Sequence, residues 1–117
     1  IFPGPAARGG LIAAPWVPGE ELARENGDVD PRFVWAALDC PSGFAVMPPG
    51  SKTVLASMTA RIDHAVAPGR AYVVSAWPIK SEGRKHWAGS AIHEEDGRLV
   101  AVADALWITL REEAVAA

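Results

Sequence analysis

Residues 33–44 read FVWAALDCPSGF, and Asp39 stands in the middle of that apolar run, one residue before Cys40 and two before Pro41. A carboxylate in such a setting is costly unless it is paired or has a function, and burial there raises its pKa toward the range in which it takes a proton. The competing account is a carboxylate that bonds the backbone or an arginine beside the proline and so stabilises an irregular helix. Cys40 and Ser42 offer a thiol and a hydroxyl, but a nucleophile needs a base in reach and no local signature supplies one. Both read as small residues of a packed helix, with Ser42 still able to hydrogen-bond a substrate. His64 falls on the apolar parity of its strand and is expected half-buried and hydrogen-bonded, whereas His86, beside Arg84 and Lys85, suits a rim. The histidines have no metal-ligand spacing with Cys or Asp, so no metal is expected. Gly83, Arg84 and Lys85 place two cations after a turn, which suits phosphate as well as it suits a solvated turn next to Glu82.

These groups depend on the elements that carry them. GLIAAPWVPG (10–19) is apolar but interrupted by Pro15, which predicts an edge strand, and 20–30 is a polar loop with one helical turn. Asp30 followed by Pro31 is an N-cap side chain with proline at the first helical position, so the main helix begins there. From Phe33 to Met47 it is apolar nearly all round, as a buried helix is. Pro41 and Gly43 predict a kink at 41–43, and Pro48-Pro49-Gly50 closes the element. The period then becomes two: in 53–66 the apolar set Val54, Ala56, Met58, Ala60, Ile62 and Val66 alternates with polar residues. Further strands are expected over 71–79, 84–94 and 98–111, with turns at Pro68-Gly69, Ser81-Glu82-Gly83 and Asp96-Gly97. Four strands in sequence predict a meander. The fold class is α+β, an antiparallel sheet wrapped around one long central helix. One helix covers one face only, so the outer face, with Trp77, Trp87 and Trp107, is expected to be exposed in a monomer and to drive oligomerisation.

The chain has 117 residues, enough for one domain with a core of its own, and 50% of them are apolar against 21% charged. A net charge of -3, with the 11 basic residues spread along the chain, gives no electrostatic footprint for nucleic acid. The single cysteine excludes an internal disulfide, and no apolar run reaches the length of a membrane span. A cytoplasmic location is expected. The opening IFPGPAARGG lacks a methionine and fits a first strand that has been shortened or cut away upstream.

The order of elements and several residues resemble the hotdog-fold thioesterases, in particular the branch of the phenylacetate-pathway and 4-hydroxybenzoyl-CoA enzymes, over about residues 10–111. In WAALDCPSGFA, Asp39 matches the carboxylate those proteins carry about nine positions after the helix start. SEGRKHWAGSAIHEEDGRLVAVADALW is similar to their Gly-Arg strand, Asp-Gly turn and Ala/Val-rich last strand. The resemblance implies an acyl-CoA thioesterase with Asp39 as the catalytic carboxylate, acting on water or as nucleophile at a site between two subunits. It also implies that Gly83, Arg84 and Lys85 meet the phosphates of coenzyme A, and that Trp35 and Trp77, with Phe44, line an acyl or aryl pocket. Coenzyme A enters as part of the substrate, with no other cofactor, and the assembly is a homodimer or homotetramer.

Many of those relatives enter the helix through His-Gly-Gly, where this chain has Asp30, Pro31 and Arg32. Their backbone N–H groups at that end polarise the thioester carbonyl. Pro31 has no N–H, which leaves those of Arg32 and Phe33 for the same task. The competing functions are a non-catalytic binder of acyl-CoA or another apolar ligand, a hydratase or dehydratase on the same fold, and a structural dimer module.

Overall fold

Asp30 and Pro31 start the helix in the computed structural model, as their chemistry requires. Helix α1 spans Pro31–Val46, with Asp30 at the N-cap accepting a hydrogen bond from the N–H of Arg32 at 3.1 Å. The structure describes Gly4 and Pro5 as backbone, together with residues 10–48 and 50–111. Pro49, in the segment expected to close the helix, lies outside the described residues, as does most of the opening segment. Removing the cap by Asp30→Ala is expected to cost about 1 kcal/mol, read as a lower thermal midpoint at unchanged helical circular dichroism.

The helix stays continuous through Pro41 and Gly43, and the N–H of Met47 closes it on the carbonyl of Gly43 at 2.8 Å. Proline at 41 removes the N–H that would have bonded Ala37. Val34, Ala37, Leu38, Pro41, Ser42 and Gly43 are buried against the sheet.

The strands are β1 (Gly4–Pro5), β2 (Ile12–Trp16), β3 (Thr53–Ile62), β4 (Tyr72–Glu82), β5 (Lys85–Glu94) and β6 (Leu99–Thr109), and a 3-10 turn covers Glu20–Leu22. They form one antiparallel sheet in the order β1-β2-β4-β5-β6-β3. The expected meander therefore holds for β4, β5 and β6 but not for β3, which pairs with β6 at the far edge. Tight turns fix the two hairpins, the second through Asp96, whose carboxylate accepts from the N–H of Arg98, and Gly97 at φ +96°. Residues 63–71 are too long a link to act as a hairpin. They cross to the helix start, where the carbonyl of Val66 accepts from the N–H of Val29. Val66 is buried there, beyond the end of β3.

A bulge in β3 also alters the faces. Leu55 pairs with Trp107 but Ser57 pairs with Leu106, so the alternation slips by one residue at Ala56. Met58, Ala60 and Ile62 pack on the core, and beyond the bulge it is Leu55, not Val54, that shares the inner face with Trp107. Trp107 departs from its expected place on the outer face. It points inward beneath the helix, 8% exposed, in the alternating inner row Ala101, Ala103, Ala105, Trp107. Trp77 and Trp87 stand on the outer face, the latter under the Lys80 ammonium at 4.4 Å. The core joins Val34 and Leu38 of the helix to Tyr72, Val74, Ile92 and Val100 of the sheet.

Candidate functional site

Asp39 is half-buried on α1, and the residues around it define which way it faces. Ser42 lies three positions on, the same side of the helix, and its hydroxyl accepts from the indole N–H of Trp107 on β6 at 3.0 Å. Trp35, one turn before Asp39 on that side, is 39% exposed. Phe33, Ala36 and Cys40 border an apolar cleft of about 260 Å³ closed by Trp16 and Leu22. Trp35, Ala36 and Cys40, the exposed neighbours of Asp39 along the helix, put it on the face turned away from the sheet.

Burial holds the Asp39 carboxyl above its ordinary range. Among the described residues it has no ion-pair partner, and three of the arginines are engaged with other carboxylates: Arg32 with Asp30, Arg61 with Asp63 and Arg70 with Glu94. A carboxylate raised by burial and without an ion-pair partner holds its proton more readily than a solvated one.

Ser42 is not available to a substrate. It is fully buried, and its hydroxyl both donates to the Asp39 carbonyl at 2.6 Å and accepts from Trp107. The helix start is closed as well. The N–H of Arg32 is taken by the Asp30 carboxylate, and that of Phe33 by the Asp30 carbonyl at 2.9 Å. Neither stands free for a thioester oxygen, so the donors expected from Arg32 and Phe33 are already spent on the cap. The Arg32 side chain remains exposed, over the Phe33 ring at 5.2 Å and beside a cleft of about 650 Å³ that the 20–26 loop borders.

Trp77 lies across the sheet from Asp39. It covers Gly89 on the outer face, where any Cβ on Gly89 would collide with its ring, so it cannot line a pocket with Trp35 in this protomer. Gly83, Arg84 and Lys85 form the exposed β4–β5 turn, with Gly83 at φ +60°. Arg84 donates to the carbonyl of Thr109 at 3.2 Å, and Leu110 bonds the carbonyl of Lys52 close by. This cationic end, including the Lys52 that sequence order had kept apart, sits beyond the C-terminus of the helix. Arg32 and Phe33 are at the other end, a helix length of about 24 Å away, and Asp39 is midway.

Two of the histidines are structural. His86 is 8% exposed, not at a rim, with Ser81 at 2.8 Å on Nδ1 and Thr109 at 2.9 Å on Nε2. His64 is half-buried just past β3, against the Arg98 guanidinium at 2.7 Å. Among the described residues no group of three or more His, Cys, Asp or Glu side chains could hold a metal ion. No helix among them is long and apolar enough to cross a membrane.

No protein-family model matches the sequence, and no curated protein does. Solved structures match it over most of its length. The PaaI protein of the Escherichia coli phenylacetic acid degradation operon superposes with a TM-score of 0.80 at 11% identity, covering 87% of this chain and 74% of that one. A hypothetical thioesterase of Streptococcus pneumoniae, solved with coenzyme A, gives 0.80 at 14% identity over 89% and 84% of the two chains. Zebrafish thioesterase superfamily member 2 gives 0.80 at 19% identity over 93% and 80%. At these identities the likeness is one of fold, and it extends to a sheet curled around a single helix.

Proposed function

We propose, for a chain that carries the hotdog fold of these thioesterase structures, that it hydrolyses an acyl or aryl thioester of coenzyme A to the acid and the free thiol. The observation that carries the reading is Asp39: a half-buried carboxylate without a cation, facing the open side of the helix beside an exposed tryptophan. As general base it takes a proton from the water that attacks the thioester carbonyl, and the thiolate leaves with that proton. Trp35 supplies apolar surface for the acyl group. Arg84 and Lys85, with Lys52 near them, suit the phosphates at the far end of an extended ligand. No metal and no resident cofactor take part, and the expected location is the cytoplasm.

A second copy of the chain completes the site. Among the described residues, strand β3 pairs with β6 on one side only, and Val54 and Leu55 on it are 45% and 37% exposed. An edge of this length pairs most simply with its own copy, about a two-fold axis. In such a pair the partner would complete the site around Asp39. Light scattering after gel filtration is expected to give a dimer or a multiple of one; a monomer at micromolar concentration would retire the shared site.

One observation favours the second reading, a binder of acyl-CoA that does not turn it over: both N–H groups at the helix start are capped by Asp30. Free-thiol release from short, long and aryl acyl-CoAs, with calorimetric binding of the same panel, separates the two. Turnover supports the hydrolase. Tight binding with no thiol released selects the binder.

A further inference from the structure

Three features between residues 42 and 107 have one explanation, and it concerns Asp39. The indole of Trp107 lies against the helix at Gly43, where a Cβ would come within 2.9 Å of its Cη2 and Cζ2 atoms. Only glycine admits the ring so close. The indole N–H donates to Ser42 Oγ, and the Ser42 O–H donates to the carbonyl of Asp39. A hydroxyl that accepts one hydrogen bond becomes a stronger donor in the next, so the two bonds reinforce each other. The chain of bonds ends at the turn that Pro41 deprives of a backbone bond, which is where the helix has least to hold it in place.

We infer that Trp107 and Ser42 are positioning residues for the Asp39 carboxyl, fixing the turn that carries it by an indole–hydroxyl–carbonyl chain buried beneath the helix. The inference rests on the reading of Asp39 as the base. Neither residue touches the reacting atoms: Ser42 is fully buried and Trp107 nearly so. Trp107 belongs to β6, next to the edge strand β3, so the chain also ties the orientation of Asp39 to the side of the sheet on which a second copy would dock.

The test uses Ser42→Ala, which removes the hydroxyl, and Trp107→Phe, which removes the indole N–H together with part of the ring, and their double variant. The carboxyl of Asp39 is titrated directly by NMR with carboxyl-labelled aspartate, and kcat and KM are measured across pH. If the chain holds the carboxyl in its half-buried place, each single variant lets it reach water. Its titration midpoint then moves down toward an ordinary aspartate, because burial is what raises it. The acid limb of kcat moves down with it, and kcat falls about tenfold to a hundredfold with KM little changed. The double variant is no worse than the weaker single, since both break one chain.

Folded variants whose Asp39 titrates as in the parent, at unchanged kcat, would overturn the inference even if Asp39→Asn is inactive. If the parent releases no thiol, the hydrolase reading fails, yet the carboxyl titration still decides the positioning role. If Trp107→Phe does not fold, Ser42→Ala alone decides between the two outcomes by the same two readouts.

Discussion

Asp39→Asn abolishes thiol release, with turnover lowered by at least about a hundredfold, because the amide has no basic lone pair to accept the proton of water. The same change makes the protein more stable at neutral pH. Burial raises the pKa of Asp39 above its ordinary 3.8, so between 3.8 and the raised value the folded chain holds more protons than the unfolded one. Stability contributed by this site therefore falls as pH rises through that window. Above it the cost of an ionised, half-buried carboxylate is constant. Asparagine has no such cost, and the thermal midpoints of the two proteins should converge near pH 3.8 and separate as pH rises. A variant that is inactive yet no more stable at pH 7 would mean that Asp39 is better solvated than its burial implies. An active one would take Asp39 out of the reaction.

Gly43→Ala is the prediction in which local and tertiary reasoning give opposite signs. Alanine is the better helix former by about 1 kcal/mol, so on propensity alone the change stabilises α1. In the fold the new methyl meets the Trp107 ring at 2.9 Å, and the indole can move only by giving up its bond to Ser42 in a packed interior. Overpacking of this kind costs about 1–3 kcal/mol. The net effect expected is a loss of up to about 2 kcal/mol, seen as a thermal midpoint lower by up to roughly 8 °C. A raised midpoint would show that the ring steps aside freely, and that the glycine is no condition of the fit.

What lay in the sequence by itself was local chemistry. Asp30-Pro31 caps and starts a helix wherever it folds, and Asp96-Gly97 closes a hairpin. Period two marks strands whichever neighbours they find. Those signals, with the carboxylate at 39 and the likeness they carry, were enough to expect a sheet wrapped around one helix. The tertiary structure alone decided four matters. It paired β3 with β6 and not with β4, since the link over 63–71 is too long to impose a neighbour and burial made the choice. It inserted the bulge at Ala56, a one-residue slip that the alternation of residue types cannot reveal but that exchanges the faces of Val54 and Leu55. It turned Trp107 inward onto Gly43, a fit between residues 64 positions apart in sequence. It spent the N–H groups of Arg32 and Phe33 on Asp30, whose capping role was legible but whose effect on the ligand end of the helix was not. The division follows from range: groups a few residues apart act on each other in any conformation, whereas a strand's partner, a buried ring's neighbour and a donor's availability exist only once distant segments have met.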